Sequence, residues 1–445
     1  MAFVEFQNAD GMNAACADLI AEKAEDGEEK KESGEGDEAK PEGGEAPRPK
    51  TTLELKGSAL RISRKKPPKG RGRGRGRGRG TIRRSGPVFQ TCGNIVELVD
   101  LAYCNLDSMF NRDIAAFWSA LPRLLQKRGA KDPDLEEKLM SVLDTTCDRM
   151  HSFQYRDLAQ TSLGIAKTVS FSRGKQQYRA DDPRQIIRGL LLSESQFMPI
   201  FDSIASSTVV MLDKFDARHL SNLIYSFGLV ERNPDIEGET LFNVFGKTAV
   251  KILHTFKPQE LSNMLWAFVK VDAKNSRLFQ ETGGVISGMD LDSFKPQDFA
   301  IILWSFAKSG KADSKLFQAL GNHIVTRSLN DFWPQDVSNI VWAYATAGES
   351  HPELFKNIGN HAAELDMDSF NPQNLSIIAW AFASAGVPHP ELFRKMGARV
   401  AGLKSLDLFK PQDLSNTAWS FATARVSHPE LLRKIGDHVA GRISL

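Results

Sequence analysis

The sequence is poor in cysteine. The four it has, Cys16, Cys92, Cys104 and Cys147, are scattered, with no Cys-x-x-Cys pair among them. That argues against a disulfide scaffold and against a zinc module, and it suits a reducing compartment. No run of 18 apolar residues occurs, so no membrane-spanning helix is expected. The N-terminus lacks the apolar core of a signal peptide and is too acidic for an organelle transit peptide. There is no Ser/His/Asp arrangement, paired-carboxylate motif, phosphate-cradling glycine loop or His-Glu-x-x-His. The expectation is therefore a protein that is not an enzyme and holds no metal and no cofactor.

A net charge of one sign is missing too. Against 57 basic residues stand 55 acidic ones, leaving +2 over 445 residues. The average hides a segregation. Residues 22–45 hold 11 acidic and 4 basic residues, whereas 61–84 hold 12 basic residues and no acidic one. The first 84 residues sum to +4, so the remaining 361 sum to −2 (2 − 4 = −2). Residues 22–50 are Glu, Gly, Lys, Ala and Pro and are expected to be a disordered acidic insertion. Residues 67–86 form a basic linker in which Arg71, Arg73, Arg75, Arg77 and Arg79 alternate with glycine. Flexible glycines and guanidinium groups that pair with phosphates and stack on bases make this an RG-type RNA-binding segment.

On either side of the acidic run, residues 1–21 and 51–66 alternate or repeat like parts of a small α+β unit. Ala2-Phe3-Val4-Glu5-Phe6 fits the end of a strand signature, and Gly57-Ser58-Ala59-Leu60-Arg61-Ile62 a closing strand. The pair resembles the second half of an RNA-recognition motif, in which Phe3 takes the place of the aromatic that stacks on a base. The motif's first strand, first helix and second strand have no counterpart here, so a truncated or relict copy is expected.

The strongest signal is an internal repeat. Phe256-Lys257-Pro258-Gln259-Glu260-Leu261 returns at Phe294, Phe332, Phe370 and Phe409, with spacings of 38, 38, 38 and 39 residues. A weaker copy starts at Phe215, and fainter echoes lie at Phe153 and near Phe110. Five of the seven tryptophans, Trp266, Trp304, Trp342, Trp380 and Trp419, occupy one repeat position. Each unit reads as two helices. The first has proline at its start, then glutamine and an acid in the first turn, and Gly310, Gly348 or Gly386 at its end. The second starts at His351, His389 or His428 before proline and carries a mid-helix glycine at 321, 359, 397 and 436, expected to mark close packing. One unit is too small for a core, so stacking must bury the Trp and Phe side chains. The fold class is all-α: an α-solenoid of about 38-residue two-helix repeats, degenerate over 87–214 and regular over 215–445.

The pattern Phe-x-Pro-Gln-Asp-Leu-Ser-Asn-x-x-Trp-Ala-Phe-Ala resembles the octotricopeptide repeat. It is similar also to the helical repeats of FAST-kinase-domain proteins and of RNA-editing substrate-binding complex subunits. The resemblance covers 215–445 and, loosely, 100–214. It implies binding of single-stranded RNA in mitochondria or plastids, in RNA stability, processing or translation, with other proteins of an RNA-processing complex as partners. Such proteins often end in a nuclease-like RAP domain. None is recognised up to Leu445, so no cleavage is expected.

A helical repeat reads nucleotides with polar side chains on one exposed face. On the first helix the expected line runs through the acid after glutamine and the residues three, seven and ten further on. In successive units it is Glu260, Asn263, Ala267, Lys270; Asp298, Ile301, Ser305, Lys308; Asp336, Asn339, Ala343, Thr346; Asn374, Ile377, Ala381, Ser384; and Asp413, Asn416, Ser420, Thr423. Asn263, Asn339 and Asn416 are the candidate base readers, or else bridges between repeats. Lys257, Lys295 and Lys410, before the proline, join Lys270 and Lys308 as candidate phosphate ligands, or are ordinary surface. The rival reading is a protein-binding scaffold whose RNA contact resides only in the RG segment.

Overall fold

The computed structural model describes residues 86–127, 131–173 and 178–443, without the side chains of 194–198 and 442–443. The RNA-recognition-like fragment with Phe3, the acidic run and Arg71 to Arg79 lie outside the described residues.

The described chain is all-α apart from one two-residue antiparallel ribbon at Asp235–Ile236 and Glu239–Thr240. The eighteen helices found among the described residues form two layers. The first layer is the row of first helices: α2 (Asn111–Leu124), α4 (Tyr155–Ser172), α7 (Ala217–Leu229), α9 (Pro258–Lys270), α11 (Pro296–Lys308), α13 (Pro334–Ala347), α15 (Pro372–Ser384) and α17 (Pro411–Thr423). Each packs along the next. The second helices form a parallel row: α8 (Leu241–Ile252), α10 (Ser276–Ser287), α12 (Ser314–Thr326), α14 (Pro352–Glu364), α16 (Pro390–Gly402) and α18 (Pro429–Ile443). The N-terminal units have α1 (Ile95–Tyr103), α3 (Leu135–Arg149), α5 (Pro183–Leu192) and α6 (Glu194–Val209) in the remaining places. The expected α-solenoid is what forms, and the echoes at Phe110 and Phe153 are helix starts within it.

Local chemistry fixes each first helix. An acid at the third helical position accepts the backbone N–H of the residue before the helix: Lys257 N to Glu260 at 2.9 Å, Lys295 N to Asp298 at 3.0 Å, Trp333 N to Asp336 at 3.1 Å and Lys410 N to Asp413 at 3.0 Å. Asp113 does the same for α2, and Asn374 for α15. The helices end on a left-handed residue, Gly310 (φ 63°), Gly348 (68°) or Gly386 (68°), as the glycines foretold. In other units Glu231, Asp272 and Arg425 take the same conformation without glycine's freedom.

Between units, an aromatic of each first helix meets a phenylalanine of the preceding second helix edge-on. The pairs Phe242–Phe268, Phe279–Phe306, Phe317–Tyr344, Phe355–Phe382 and Phe393–Phe421 have ring centroids 4.9–5.3 Å apart. Second helices dock on one another through their first residue. Asn275, Asp313, His351, His389 and His428 each accept the N–H of the residue three further on. The rings of His351, His389 and His428 lie against Gly321, Gly359 and Gly397, where any side chain would overlap them. The helix-start role of the histidines and the close packing at those glycines thus have one cause. Gly436 is the exception, with nothing within 4 Å.

Candidate nucleic-acid interface

The capping acids set the register of the first helices, and that register decides which face is open. Positions 2, 6, 9 and 13 of a helix lie one above another. Position 2 is Arg112, Arg156, Arg218, Gln259, Gln297, Gln335, Gln373 and Gln412. Position 6 is Ala116, Gln160, Asn222, Asn263, Ile301, Asn339, Ile377 and Asn416. Position 9 is Ser119, Leu163, Tyr225, Trp266, Trp304, Trp342, Trp380 and Trp419. Position 13 is Arg123, Lys167, Leu229, Lys270, Lys308, Thr346, Ser384 and Thr423. None of these 32 places holds an acid and seven hold a base, in a 361-residue stretch whose net charge is −2.

This strip corrects the expected line in two columns. The capping acids Asp298, Asp336 and Asp413 are buried, turned onto their own helix starts and onto the preceding unit. Ser262 Oγ is 3.2 Å from Asp298 and Ser376 Oγ 3.2 Å from Asp413, while Asn374 Nδ2 donates to Ser338 Oγ at 3.1 Å. Burial raises the carboxyl groups of Asp298 and Asp413, and the serine hydroxyl partly offsets it. For Asp336 the equivalent place in the preceding unit is Ala300, which has no hydroxyl to offer, and burial pushes the carboxyl up to about 6. The column Ala267, Ser305, Ala343, Ala381 and Ser420 is also fully buried, at 0% exposure throughout.

The tryptophans meet the expected burial only in part. They do not fill the space between layers. They stand along the outer strip, where Tyr225 and Trp266 lie 5.0 Å apart and Trp304 and Trp342 6.3 Å apart, centroid to centroid. Neighbouring rings cover Trp266 and Trp342, leave Trp304 and Trp380 half-buried, and leave Trp419 47% exposed at the end of the row.

The candidate site residues divide accordingly. Asn263 is half-buried on the strip, and Asn339 and Asn416 are nearly covered at 8% and 6% exposure. Lys270 and Lys308 are on the strip, half-buried, and Lys270 Nζ lies 5.9 Å over the Trp266 ring and 2.9 Å from Glu231. Lys257, Lys295 and Lys410 sit at helix starts beside the strip, exposed. Trp333 takes the same place in α13 and is 72% exposed. The glutamines were not singled out from sequence, yet Gln259 and Gln297 are exposed and Gln335, Gln373 and Gln412 half-buried. The available signal was that glutamine stays the same in five units at a position that packing does not dictate.

By fold this is an α-solenoid repeat protein with a neutral-to-basic aromatic and amide strip along one layer. Residues 285–443, about a third of the chain, match the family model described as RNA-editing substrate-binding complex 6 protein. That is one of the three resemblances that the repeat carries. No curated protein matches the chain. Among solved structures, one described as "Homology model of the full-length AP-3 complex in an intermediate open conformation" aligns over 76% of this chain and 60% of its own, with 10% identity and a TM-score of 0.25. At that score the likeness carries no argument. No group of side chains among the described residues has metal-binding geometry, and none of the described helices is long and apolar enough to cross a membrane.

Proposed function

We propose that the protein is an RNA-binding subunit of an RNA-editing type of complex, holding single-stranded RNA without catalysis. The observation that carries this is the acid-free strip, in which planar amides and indoles are stacked in register with basic residues at one end. Amides pair with base edges, indoles stack on bases and cations take phosphate, all on one continuous surface. The match over 285–443 supports the same reading and favours the mitochondrion among the organelles that the resemblances imply. The RG segment adds a salt-sensitive contact.

The test is binding of a single-stranded RNA by the full chain and by two variants. In one, Arg71, Arg73, Arg75, Arg77 and Arg79 become Gln; in the other, Gln259, Gln297, Gln335, Gln373 and Gln412 become Ala. The strip reading expects residual binding in the first and altered base preference in the second. Loss of all binding in the first, with no effect in the second, makes the solenoid a protein scaffold. Changing Asn263, Asn339 and Asn416 together to Ala then asks whether the covered amides add to preference.

A further inference from the structure

The strip is not uniform along the array, and its two halves differ in the kind of side chain they offer. Position 2 is arginine in α2, α4 and α7 and glutamine in the five helices that follow. Position 13 is Arg123, Lys167, Leu229, Lys270 and Lys308 in the first five helices and Thr346, Ser384 and Thr423 in the last three. The three position-2 arginines are all exposed, and the Arg112 side chain is 67% exposed. Their helices pack in succession, which sets them about 10 Å apart.

Two of the three stand over an aromatic ring. The Arg112 guanidinium is 5.3 Å from the centre of Phe110, itself 52% exposed, and the Arg156 guanidinium is 5.3 Å from that of Tyr155, whose hydroxyl accepts from its Nε at 2.8 Å. The nearest acids cap their own helices and also face the arginines, Asp113 and Asp157 beside Arg112 and Asp216 beside Arg156, so that each pairing is shared. Asp113 accepts Phe110 N at 2.9 Å, with Arg112 Nε 3.7 Å away. Asp157 accepts Gln154 N at 3.4 Å, and Asp216 accepts both His219 N and its ring nitrogen. By contrast Arg123 is occupied with the carbonyls of Phe89 and Gln90, and Lys167 is half-buried with its pKa lowered by burial.

We propose that Arg112, Arg156 and Arg218 form the phosphate grip of this surface, holding the backbone of a single strand whose bases lie on the glutamine and tryptophan half. The proposal rests on the reading that the strip binds RNA, and it adds a division of labour. The first three helices supply charge without sequence preference; the last three supply preference with little charge. This grip lies outside the residues that the family model matches. Arginine suits the task because its planar group takes phosphate bidentately while resting on a ring.

The experiment measures affinity of the full chain for a uniform single-stranded RNA from 50 to 300 mM salt, with Arg71 to Arg79 already changed to Gln so that the RG segment does not mask the result. In that background Arg112, Arg156 and Arg218 are changed together to Gln, the residue that later units carry at the same place. The plot of log affinity against log salt should flatten by about 2, at roughly 0.7 per phosphate contact, and affinity at the lowest salt should fall roughly tenfold or more. Base preference should not move. Changing the three to Lys should restore the slope, which a purely packing role would not do. Changing Gln335, Gln373 and Gln412 to Ala should shift preference at constant slope. An unchanged slope in the Arg→Gln variant, with the glutamine variant still altered, overturns the grip and leaves the RNA reading standing. No effect in either variant overturns both.

Discussion

His389 is held between two units with its proton placed. Its Nδ1 accepts the Leu392 N–H at 3.2 Å, so the hydrogen is on Nε2, which donates to Asn360 Oδ1 at 3.0 Å. The ring rests on Gly359 of the preceding second helix. His351 repeats the arrangement with Asn322 and Gly321. One side chain thereby starts its own helix and joins it to its neighbour.

Gly359→Ala should therefore destabilise the array by about 1–3 kcal/mol, because the added methyl overlaps a ring fixed at two atoms. Gly436→Ala meets open space inside α18 and should be neutral or stabilising by up to about 1 kcal/mol from helix propensity. Thermal unfolding of the two variants side by side checks this. Equal effects would mean that the His–Gly contact does not hold the units together.

The junction between α11 and α13 is expected to respond to pH. Asp336 has a folded pKa of about 6, well above the roughly 3.9 of a free aspartate. Between those values the folded chain binds the extra proton, so this group's contribution to stability falls as pH rises from about 4 to 6 and stays low above that. Asp336→Asn should flatten stability over that range and leave pH 7 stability equal or higher. Ala300→Ser should supply the hydroxyl that Asp298 and Asp413 already have and raise stability at pH 7 by about 1 kcal/mol. Denaturation midpoints at pH 5 and pH 7 decide both.

Backbone strain gives a third expectation. Asp272 and Arg425 hold φ of 51° and 55° where other units use glycine. Asp272→Gly or Arg425→Gly should stabilise by about 1 kcal/mol, whereas Gly348→Ala should cost about as much. Chemical denaturation of single variants measures the difference. A loss of stability in Arg425→Gly would mean that its side chain matters more than its backbone.

The two faces of one turn should separate in function. Gln412 belongs to the strip by register, half-buried with its Nε2 covered, and Asp413, the next residue, caps α17 and meets Ser376. Asp413→Ala should lower the melting temperature, at about 1 kcal/mol or more, through the lost cap. Gln412→Ala should leave melting unchanged and weaken RNA binding. Paired melting and binding curves test this, and a Gln412 variant that melts early but binds normally would place that side chain in packing.

Periodicity, proline and the first-turn acid made both helices of each unit and the stacked architecture legible, because these features act within a few residues. The histidine starts and terminal glycines were legible for the same reason. The direction of the tryptophans was not. Their 38-residue spacing tells that they occupy one place per unit, but an apolar ring at helical spacing suits a core as well as a row of rings along a surface. Only the positions of adjacent helices showed Trp304 beside Trp342, and Phe306 rather than tryptophan between the layers.

The candidate site was legible to a similar depth. Sequence alone determined that some face of the first helix repeats polar side chains, and it picked out Asn263, Asn339, Asn416, Lys270 and Lys308, all of which lie on the strip. It also placed the capping acids there, one position round the helix. Tertiary structure decided otherwise because each acid accepts an amide three residues back, and Asp298 and Asp413 also meet a serine of the preceding unit that sequence separation conceals. A period can be counted along the chain, whereas which side of a helix meets water depends on where the next helix lies.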